Sequence, residues 1–288
     1  MPVKERVGPG IGHEIRELDM PIAKISGLHG PQWAMLEPGT ETLPKEAHCA
    51  STLADLLAGE AVHAEIEADA SLVAPLDPGA RVLCIGLNYR AHAAETGHAE
   101  PKYPVVFTRT QDSLVGPGEA MIKPAESEKM DYEGELAIVI GQGGRRIPQD
   151  KAMEAIAGYT ILNDGSIRDF QSHTSQFAPG KNFDRSGAIG PWIATAEEAG
   201  APDKLHMTTT LNGEVVQDSG VDDLIFAVPE LVAYVSTFME LRTGDIIATG
   251  TPSGVGMART PTKFLKDGDT VVIDIPGVGT LTNSVEAD

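Results

Sequence analysis

The sequence is poor in basic residues. Lysine and arginine account for 22 of its 288 residues, against 42 aspartates and glutamates, and the formal net charge is -20. No cluster of lysine and arginine interrupts this acidity, which disfavours nucleic acid or an anionic membrane as a partner. Aromatic residues make up only 5% of the chain, too few to suggest a platform on which bases stack. We therefore expect no nucleic-acid partner and no membrane partner.

Cysteines, targeting segments and long apolar runs are also scarce or missing. The two cysteines, Cys49 and Cys84, fit neither a zinc-site spacing nor a disulfide framework. Residues 1–10 contain no apolar signal-peptide core. No apolar run approaches the ~18 residues of a membrane span. These absences predict a cytoplasmic protein in a reducing compartment.

Several common catalytic motifs are absent as well. No G-x-G-x-x-G follows a predicted strand, and no Walker loop, G-x-S-x-G elbow or H-E-x-x-H motif occurs. The sequence thus gives no support for a dinucleotide-binding, ATP-hydrolysing, serine-hydrolase or zincin site. We expect no organic cofactor.

Glycine and proline, in contrast, are abundant, with 31 and 20 residues. This excess predicts many turns and therefore many short strands. Asn212-Gly213, between two alternating segments, is typical of a hairpin turn. Helices are predicted at Asn88–Thr96, closed by Gly97, and at the amphipathic segment Pro229–Leu241. The pattern as a whole predicts a mixed α/β fold, rich in strands, with a few peripheral helices.

The periodicity of the chain changes near residue 75. Residues 1–75 contain short, weakly periodic apolar stretches, and we interpret them as a small N-terminal region. The strand signals sharpen from residue 81 onward. Residues 76–288 are therefore predicted to form the main domain.

Two carboxylates lie in the strongest predicted strand, Tyr132–Ile140. Glu133 and Glu135 are two residues apart, so their side chains project on one face of the strand. Taken alone, such a pair is most simply explained as an exposed strand face. Asp164 follows the predicted strand 158–163, however, and completes a three-carboxylate site if the two strands are neighbours. Oxygen ligands suit Mg²⁺ or Mn²⁺, with Ca²⁺ as a further candidate, rather than zinc.

Polar and basic side chains follow these carboxylates in the sequence. Arg168 and Gln171 come soon after Asp164, and Lys181 lies in the segment 180–184. Such a cluster beside a metal ion is what an anionic, chelating substrate needs. Each basic residue taken alone is equally typical of a surface salt bridge.

Several short blocks of polar residues and glycines follow one another along the chain. The blocks are Gly86-Leu87-Asn88-Tyr89 followed by His92 and Glu95, Asp131-Tyr132-Glu133-Gly134-Glu135-Leu136, Asn163-Asp164-Gly165-Ser166-Ile167-Arg168-Asp169, Gly180-Lys181-Asn182-Phe183-Asp184, Gly190-Pro191, and Gly250-Thr251-Pro252-Ser253-Gly254-Val255-Gly256. In this order they resemble the fumarylacetoacetate hydrolase family. The resemblance runs from about residue 81 to the C-terminus, whereas residues 1–75 carry little of it.

The resemblance implies a β-roll of mixed sheets, usually a homodimer, that acts on a small anionic 2-oxo acid. It implies that Glu133, Glu135 and Asp164 hold a divalent metal ion. His92 and Glu95 match a dyad that activates water and lies on a mobile lid helix.

The resemblance also implies contacts with the substrate. Lys181 and Gln171 match groups beside the reacting carbonyl, and Arg168 matches a position beside the metal ion. Thr251 matches a contact with the substrate carboxylate. Arg109 stands where the family often has lysine followed by proline, and we interpret it as a further substrate contact that keeps the positive charge.

The activity that the resemblance favours is hydrolysis of a C–C bond in a 2,4-dioxo acid such as an acylpyruvate or fumarylpyruvate. His92, oriented by Glu95, would take a proton from water, and Lys181 would stabilise the oxyanion while metal-bound pyruvate enolate leaves. The same metal centre also supports decarboxylation or isomerisation of a 2-oxo acid, or dehydration of a sugar acid. A non-catalytic metal-binding scaffold is the last alternative, which the His92–Glu95 pair disfavours.

Overall fold

A computed structural model describes residues 20–27, 30–37 and 43–288. The prediction made for residues 1–10, and part of the predicted N-terminal region, lie outside these residues. The strands are β1 (Ile22–Ile25), β2 (Gln32–Met35), β3 (Glu46–Ala50), β4 (Val62–Glu65), β5 (Val82–Gly86), β6 (Val105–Arg109), β7 (Leu114–Val115), β8 (Met121–Lys123), β9 (Met130–Asp131), β10 (Gly134–Ile140), β11 (Ile156–Asn163), β12 (Ser166–Ile167), β13 (Gly187–Thr195), β14 (His206–Leu211), β15 (Glu214–Gly220), β16 (Ile246–Ala248), β17 (Thr270–Ile275) and β18 (Gly279–Ala287). The α-helices are α1 (Leu53–Leu57), α2 (Arg90–Glu95), α3 (Arg168–Gln171), α4 (Ala178–Lys181), α5 (Ala196–Ala199) and α6 (Val228–Phe238).

The strands form two large sheets and one short ladder. The larger sheet has the order β4-β3-β2-β1-β13-β11-β10-β16-β5-β6, with β7 beside β13. The smaller sheet has the order β15-β14-β17-β18-β8, and β9 pairs with β12. Most neighbours are antiparallel, but β5 runs parallel to β16 and β8 runs parallel to β18. The predicted β-rich mixed fold is confirmed.

The central strand β10 is buried along its whole length. It lies between β11 and β16, so both of its edges are paired. Leu136, Ile138 and Ile140 pack in the main core, which also contains side chains of the smaller sheet and of α6. Ala137 and Val139 face a second core with the N-terminal strands. A strand buried on both faces requires near-continuous apolar residues, which β10 has.

The strands β1–β4 extend the larger sheet rather than forming a sheet of their own. Ile22 of β1 pairs with Ile193 of β13. Trp33 is fully buried, and its indole nitrogen donates to Asp77 Oδ1 over 2.6 Å. The boundary at residue 75 stays a prediction.

Helices are few and short among the described residues. Proline at the first turn predicts a helix over Pro148–Ile156, and the structure has a 3₁₀ helix there over Gln149–Ala155. The predicted amphipathic helix is α6, and its apolar side packs in the main core. No helix within 20–27, 30–37 and 43–288 is long and apolar enough to span a membrane.

Candidate active site

Three buried carboxylates meet where β10 begins and β11 ends. In the antiparallel register Gly134 pairs with Asn163, which sets Glu133 beside Asp164. The Asp164 amide donates to the Glu133 carbonyl over 2.8 Å. One oxygen from each of Glu133, Glu135 and Asp164 lies within 4.8 Å of the others, and their exposed fractions are 5%, 2% and 0%. Because the site is buried, the exposed strand-face interpretation of the glutamate pair is wrong.

Three cations pair with this cluster, and two of them, Lys181 and Arg168, contact Glu133. The Lys181 ammonium lies 2.6 Å from Glu133 Oε2 and 2.5 Å from Asp164 Oδ2, and Arg168 Nη1 lies 2.6 Å from Glu133 Oε1. Burial alone would raise the pKa of Glu133, but Arg168 and Lys181 lower it to about 2. Burial alone would lower the pKa of Lys181, but the Asp164 and Glu133 carboxylates outweigh this effect and raise it. Both side chains are therefore ionised at neutral pH.

Glu135 has a different environment. Its Oε2 accepts the Gly250 amide over 2.8 Å, and within the described part of the chain no lysine or arginine pairs with it. Burial, and then the neighbouring charges of Asp164 and Glu133, raise its pKa well above the usual value. A buried carboxylate without a counter-charge is costly, and a cation at this point removes the cost. The oxygen-only donor set and this missing charge fit a divalent ion held by the three carboxylates.

A histidine–carboxylate pair lies on the short helix α2. His92 Nδ1 is 3.0 Å from Glu95 Oε1, and His92 is only 7% exposed. The Gly254 amide donates to both oxygens of Glu95, each over 3.0 Å. Gly254 has φ +103°, and a Cβ there would lie 2.1 Å from the Val216 carbonyl, so a glycine is required. The helix ends at Glu95, Thr96 caps it, and Gly97 follows with φ +73°, in agreement with the glycine stop in the sequence.

One cavity of about 410 Å³ brings the predicted residues together. Apolar side chains such as Ile85, Phe107, Phe177 and Met257 form part of its wall. The predicted site residues that line it are His92, Glu95, Glu133, Glu135, Asp164, Arg168, Gln171, Lys181 and Thr251. Their individual roles stay predictions.

Arg109 is the predicted site residue that does not line the cavity. Its side chain is fully buried behind Asp164, and Nη1 donates to Asp164 Oδ1 over 2.7 Å. The remaining donors bond to Ser113, Gly165 and Ser186. All of its hydrogen-bonding capacity is used inside the protein, so the expected substrate contact is not met. Arg109 instead orients a carboxylate of the candidate metal site.

The sequence reasoning gave no role to Asp131 or to the backbone amides of the loop 250–258. Asp131 bonds to Arg168 and to two amides of that loop. A signal was present, because Asp131, Glu133 and Glu135 alternate along the chain, a spacing that would place three carboxylates on one side of a continuous strand. Burial and loop contacts, which decide their roles, are not visible in this pattern.

Comparison with known proteins assigns the family. The family model "Fumarylacetoacetate (FAA) hydrolase C-terminal" matches residues 81–286. The chain belongs to the fumarylacetoacetate hydrolase family, which confirms the resemblance noted in the sequence.

Three relatives show the range of activities near this chain. Oxaloacetate tautomerase YisK of Bacillus subtilis is 42% identical over 221 residues, covering 75% of this chain and 73% of the relative. The crystal structure of 5-carboxymethyl-2-hydroxymuconate delta-isomerase from Mycobacterium smegmatis has a TM-score of 0.77 and 35% identity, covering 93% of this chain and 99% of that one. Fumarylpyruvate hydrolase from Pseudomonas aeruginosa, in complex with Mn²⁺ and pyruvate, has a TM-score of 0.67 and 35% identity, covering 76% and 92%.

These similarities support an enzyme with a divalent-metal site and leave the reaction open. The three relatives are a tautomerase, an isomerase and a hydrolase. The expected hydrolysis of a C–C bond is therefore one of several reactions compatible with the family.

Proposed function

We propose that the protein is a divalent-metal-dependent tautomerase that interconverts the keto and enol forms of a small 2-oxo dicarboxylate of the oxaloacetate type. The observation that carries this proposal is that the His92–Glu95 pair and the three-carboxylate site line the same cavity. The similarity to the Bacillus subtilis tautomerase favours this reaction over cleavage. Mg²⁺ and Mn²⁺ are the proposed ions, because both prefer oxygen ligands.

The cations of the cavity suit an anionic substrate. A divalent ion at Glu133, Glu135 and Asp164 supplies Lewis-acid polarisation of the 2-oxo group. Arg168 Nη2 is buried and has no hydrogen-bond partner among the described residues, although Arg168 lines the cavity. We expect the positive charge of Arg168 to attract a substrate carboxylate in the cavity, since charge-assisted bonds of this kind are strong. Lys181, whose ammonium stays charged, adds positive potential beside it.

His92 is the group that moves the proton. A carboxylate can only accept, so in the neutral imidazole Nδ1 carries the proton that is donated to Glu95 and Nε2 is free to act as a base. In the proposed reaction Nε2 takes a proton from C3 of the keto acid, the electron pair of that C–H bond forms the C2=C3 double bond, and the 2-oxo oxygen takes up a proton from water while His92 returns its own to water. The reverse transfers restore the keto form, so a C–H bond is exchanged for an O–H bond, the C2–O and C2–C3 bond orders change with it, and no co-reactant other than water is needed.

Hydrolysis of a 2,4-dioxo acid is the second candidate. The same His92 Nε2 would take a proton from water, and the resulting hydroxide would attack the distal carbonyl. The support for this reaction is the structural similarity to fumarylpyruvate hydrolase. The two candidates share the site and differ only in what the base deprotonates.

An NMR assay with either Mg²⁺ or Mn²⁺ and an EDTA-treated control separates the reactions. Tautomerase activity is expected to speed keto–enol exchange of oxaloacetate without consuming it. Release of pyruvate and CO₂ from oxaloacetate would instead indicate a decarboxylase. Production of pyruvate and a second acid from an acylpyruvate would indicate a hydrolase. Absence of metal-dependent keto–enol exchange would contradict the proposal.

The variant His92→Ala tests the role of the dyad. We expect tautomerisation to fall by ~10²–10⁴-fold, the usual loss when a general base is removed. Metal affinity should stay unchanged, because His92 is not among the three ligands. His206→Ala is a matched control, since His206 pairs with Asp218 in an exposed position that does not line the cavity. Loss of metal binding in His92→Ala would show that the three-carboxylate assignment is incomplete.

A further inference from the structure

Asp131 is a fully buried carboxylate that does not line the cavity. Its Oδ1 accepts the Gly256 amide over 2.7 Å and the amide of its neighbour Tyr132 over 2.9 Å. Its Oδ2 accepts the Met257 amide over 2.9 Å and Arg168 Nε over 2.9 Å. Every one of these donors belongs to a segment that builds the site, so this one side chain connects parts of the cavity that are far apart in sequence.

The first connection fixes Arg168. The ladder of β9 with β12 pairs Asp131 with Ser166, which brings the carboxylate next to the start of α3. With Nε held by Asp131, the guanidinium presents Nη1 to Glu133 and Gln171. Its Nη2 is buried and has no hydrogen-bond partner among the described residues. A planar guanidinium held at one nitrogen has the direction of its other two nitrogens set as well.

The second connection fixes the loop 250–258. The Gly256 and Met257 amides bond to Asp131, and two residues earlier the Gly254 amide holds both oxygens of Glu95. The backbone of Gly256 lies so close to Asp131 that a Cβ at this position would be 2.5 Å from Asp131 Oδ1. The position of Glu95, and through it the orientation of His92, therefore depends on where Asp131 holds this loop.

We infer that Asp131 is a positioning residue that sets the relative placement of Arg168 and the His92–Glu95 dyad. The inference rests on the proposed function in so far as these two groups act on one substrate. Only a carboxylate can accept at both oxygens from four donors. An asparagine of the same shape places an NH₂ group either against the Gly256 and Tyr132 amides or against the Met257 amide and Arg168 Nε, so two of the four bonds are lost in either orientation.

The test compares Asp131→Asn with the matched control Asp245→Asn. Asp245 is also buried and accepts from Arg81 and from the Arg242 amide, but it does not line or support the cavity. We expect Asp131→Asn to lower kcat for tautomerisation by roughly 10²-fold, the loss that a displacement of ~1 Å causes. Hydrogen exchange of the amides at 254–258 should accelerate, while Mn²⁺ affinity stays within a few-fold. Asp245→Asn should change neither kcat nor exchange in that loop.

Three results would overturn the inference. The first is wild-type exchange at 254–258 together with wild-type kcat in Asp131→Asn. The second is an equal loss of kcat in both variants, which would indicate a general loss of stability. The third is a loss of Mn²⁺ binding in Asp131→Asn that accounts for the lost activity.

The exchange measurement stands apart from the proposed function. If the wild-type protein proves inactive on 2-oxo acids, the proposed function fails, and faster exchange at 254–258 in Asp131→Asn still supports the positioning role. If Asp131→Asn does not fold, Asp131→Glu replaces it, because the longer side chain keeps both oxygens but displaces them from the Gly256 and Met257 amides and from Arg168. Faster exchange at 254–258 in Asp131→Glu supports the inference, and unchanged exchange contradicts it.

Discussion

Replacement of Arg109 by methionine separates a substrate contact from a structural support for Asp164. The side chains of Arg109 and Asp164 are buried, with 0% and 1% exposure. The Arg109 guanidinium makes all of its hydrogen bonds within the protein. The change removes the cation that pairs with Asp164 Oδ1, while Lys181 still pairs with Oδ2, and it takes a donor away from oxygens of Ser113, Gly165 and Ser186. Breaking a buried ion pair from one side costs about 3–5 kcal/mol.

This cost predicts a fall in Tm on the order of 10 °C, since ~1 kcal/mol shifts the Tm of a large domain by ~2–4 °C. It also predicts weaker binding of Mn²⁺, because Asp164 loses the group that orients it. Differential scanning calorimetry and a Mn²⁺ titration of the folded variant measure the two effects. Arg145→Met is the control, since Arg145 is exposed and donates only to the Thr237 carbonyl. Arg145→Met should change the free energy of unfolding by no more than ~0.5 kcal/mol.

The reasoning fails if Arg109→Met keeps the wild-type Tm and metal affinity and shows only a raised KM. That outcome would restore the expectation drawn from the sequence, in which Arg109 contacts the substrate. A lowered Tm with unchanged metal affinity would confirm the buried ion pair and contradict its role in orienting Asp164.

Two further predictions concern the metal site and the N-terminal strands. Mg²⁺ or Mn²⁺ should raise the Tm of EDTA-treated protein by mass action, and calorimetry showing no shift would count against the site. The rise in Tm on metal binding should become larger as pH rises above 4.5, the usual pKa of a glutamate. Burial and nearby charges raise the pKa of Glu135 in the folded protein, so the metal-free fold loses stability as pH rises through this range. The ion binds the deprotonated carboxylate, so the metal-bound fold is spared that loss. Glu135→Gln should abolish that pH dependence, and its persistence would assign it to another group. Asp77→Ala should destabilise the fold by ~1–3 kcal/mol in urea, because Trp33 Nε1 and the Leu53 amide lose their acceptor. Its Mn²⁺ affinity should remain that of the wild type, and a change would link the N-terminal strands to the site.

Local chemistry in the sequence determined much of the fold. The hairpin at Asn212-Gly213 forms as predicted, since both residues have positive φ, 53° and 81°, and Leu211 pairs with Glu214. The spacing of Glu133 and Glu135, with Asp164 at a strand end, indicated the carboxylate site. These features depend on residues within a few positions of each other or on one strand pairing, and such relations can be read from a single sequence.

The tertiary structure alone decided which side chains face the cavity and which support it. Burial of β10 on both faces turned a pair of glutamates, typical of a solvated surface, into part of an interior site. Arg109 lies behind Asp164 and does not line the cavity. Its partners Ser113, Asp164 and Ser186 come from three separate segments, which only the folded chain brings together. Asp131 meets the Gly256 amide across 125 positions of the chain. No periodicity encodes contacts of this kind, because they arise only when the sheets pack and distant loops are brought together.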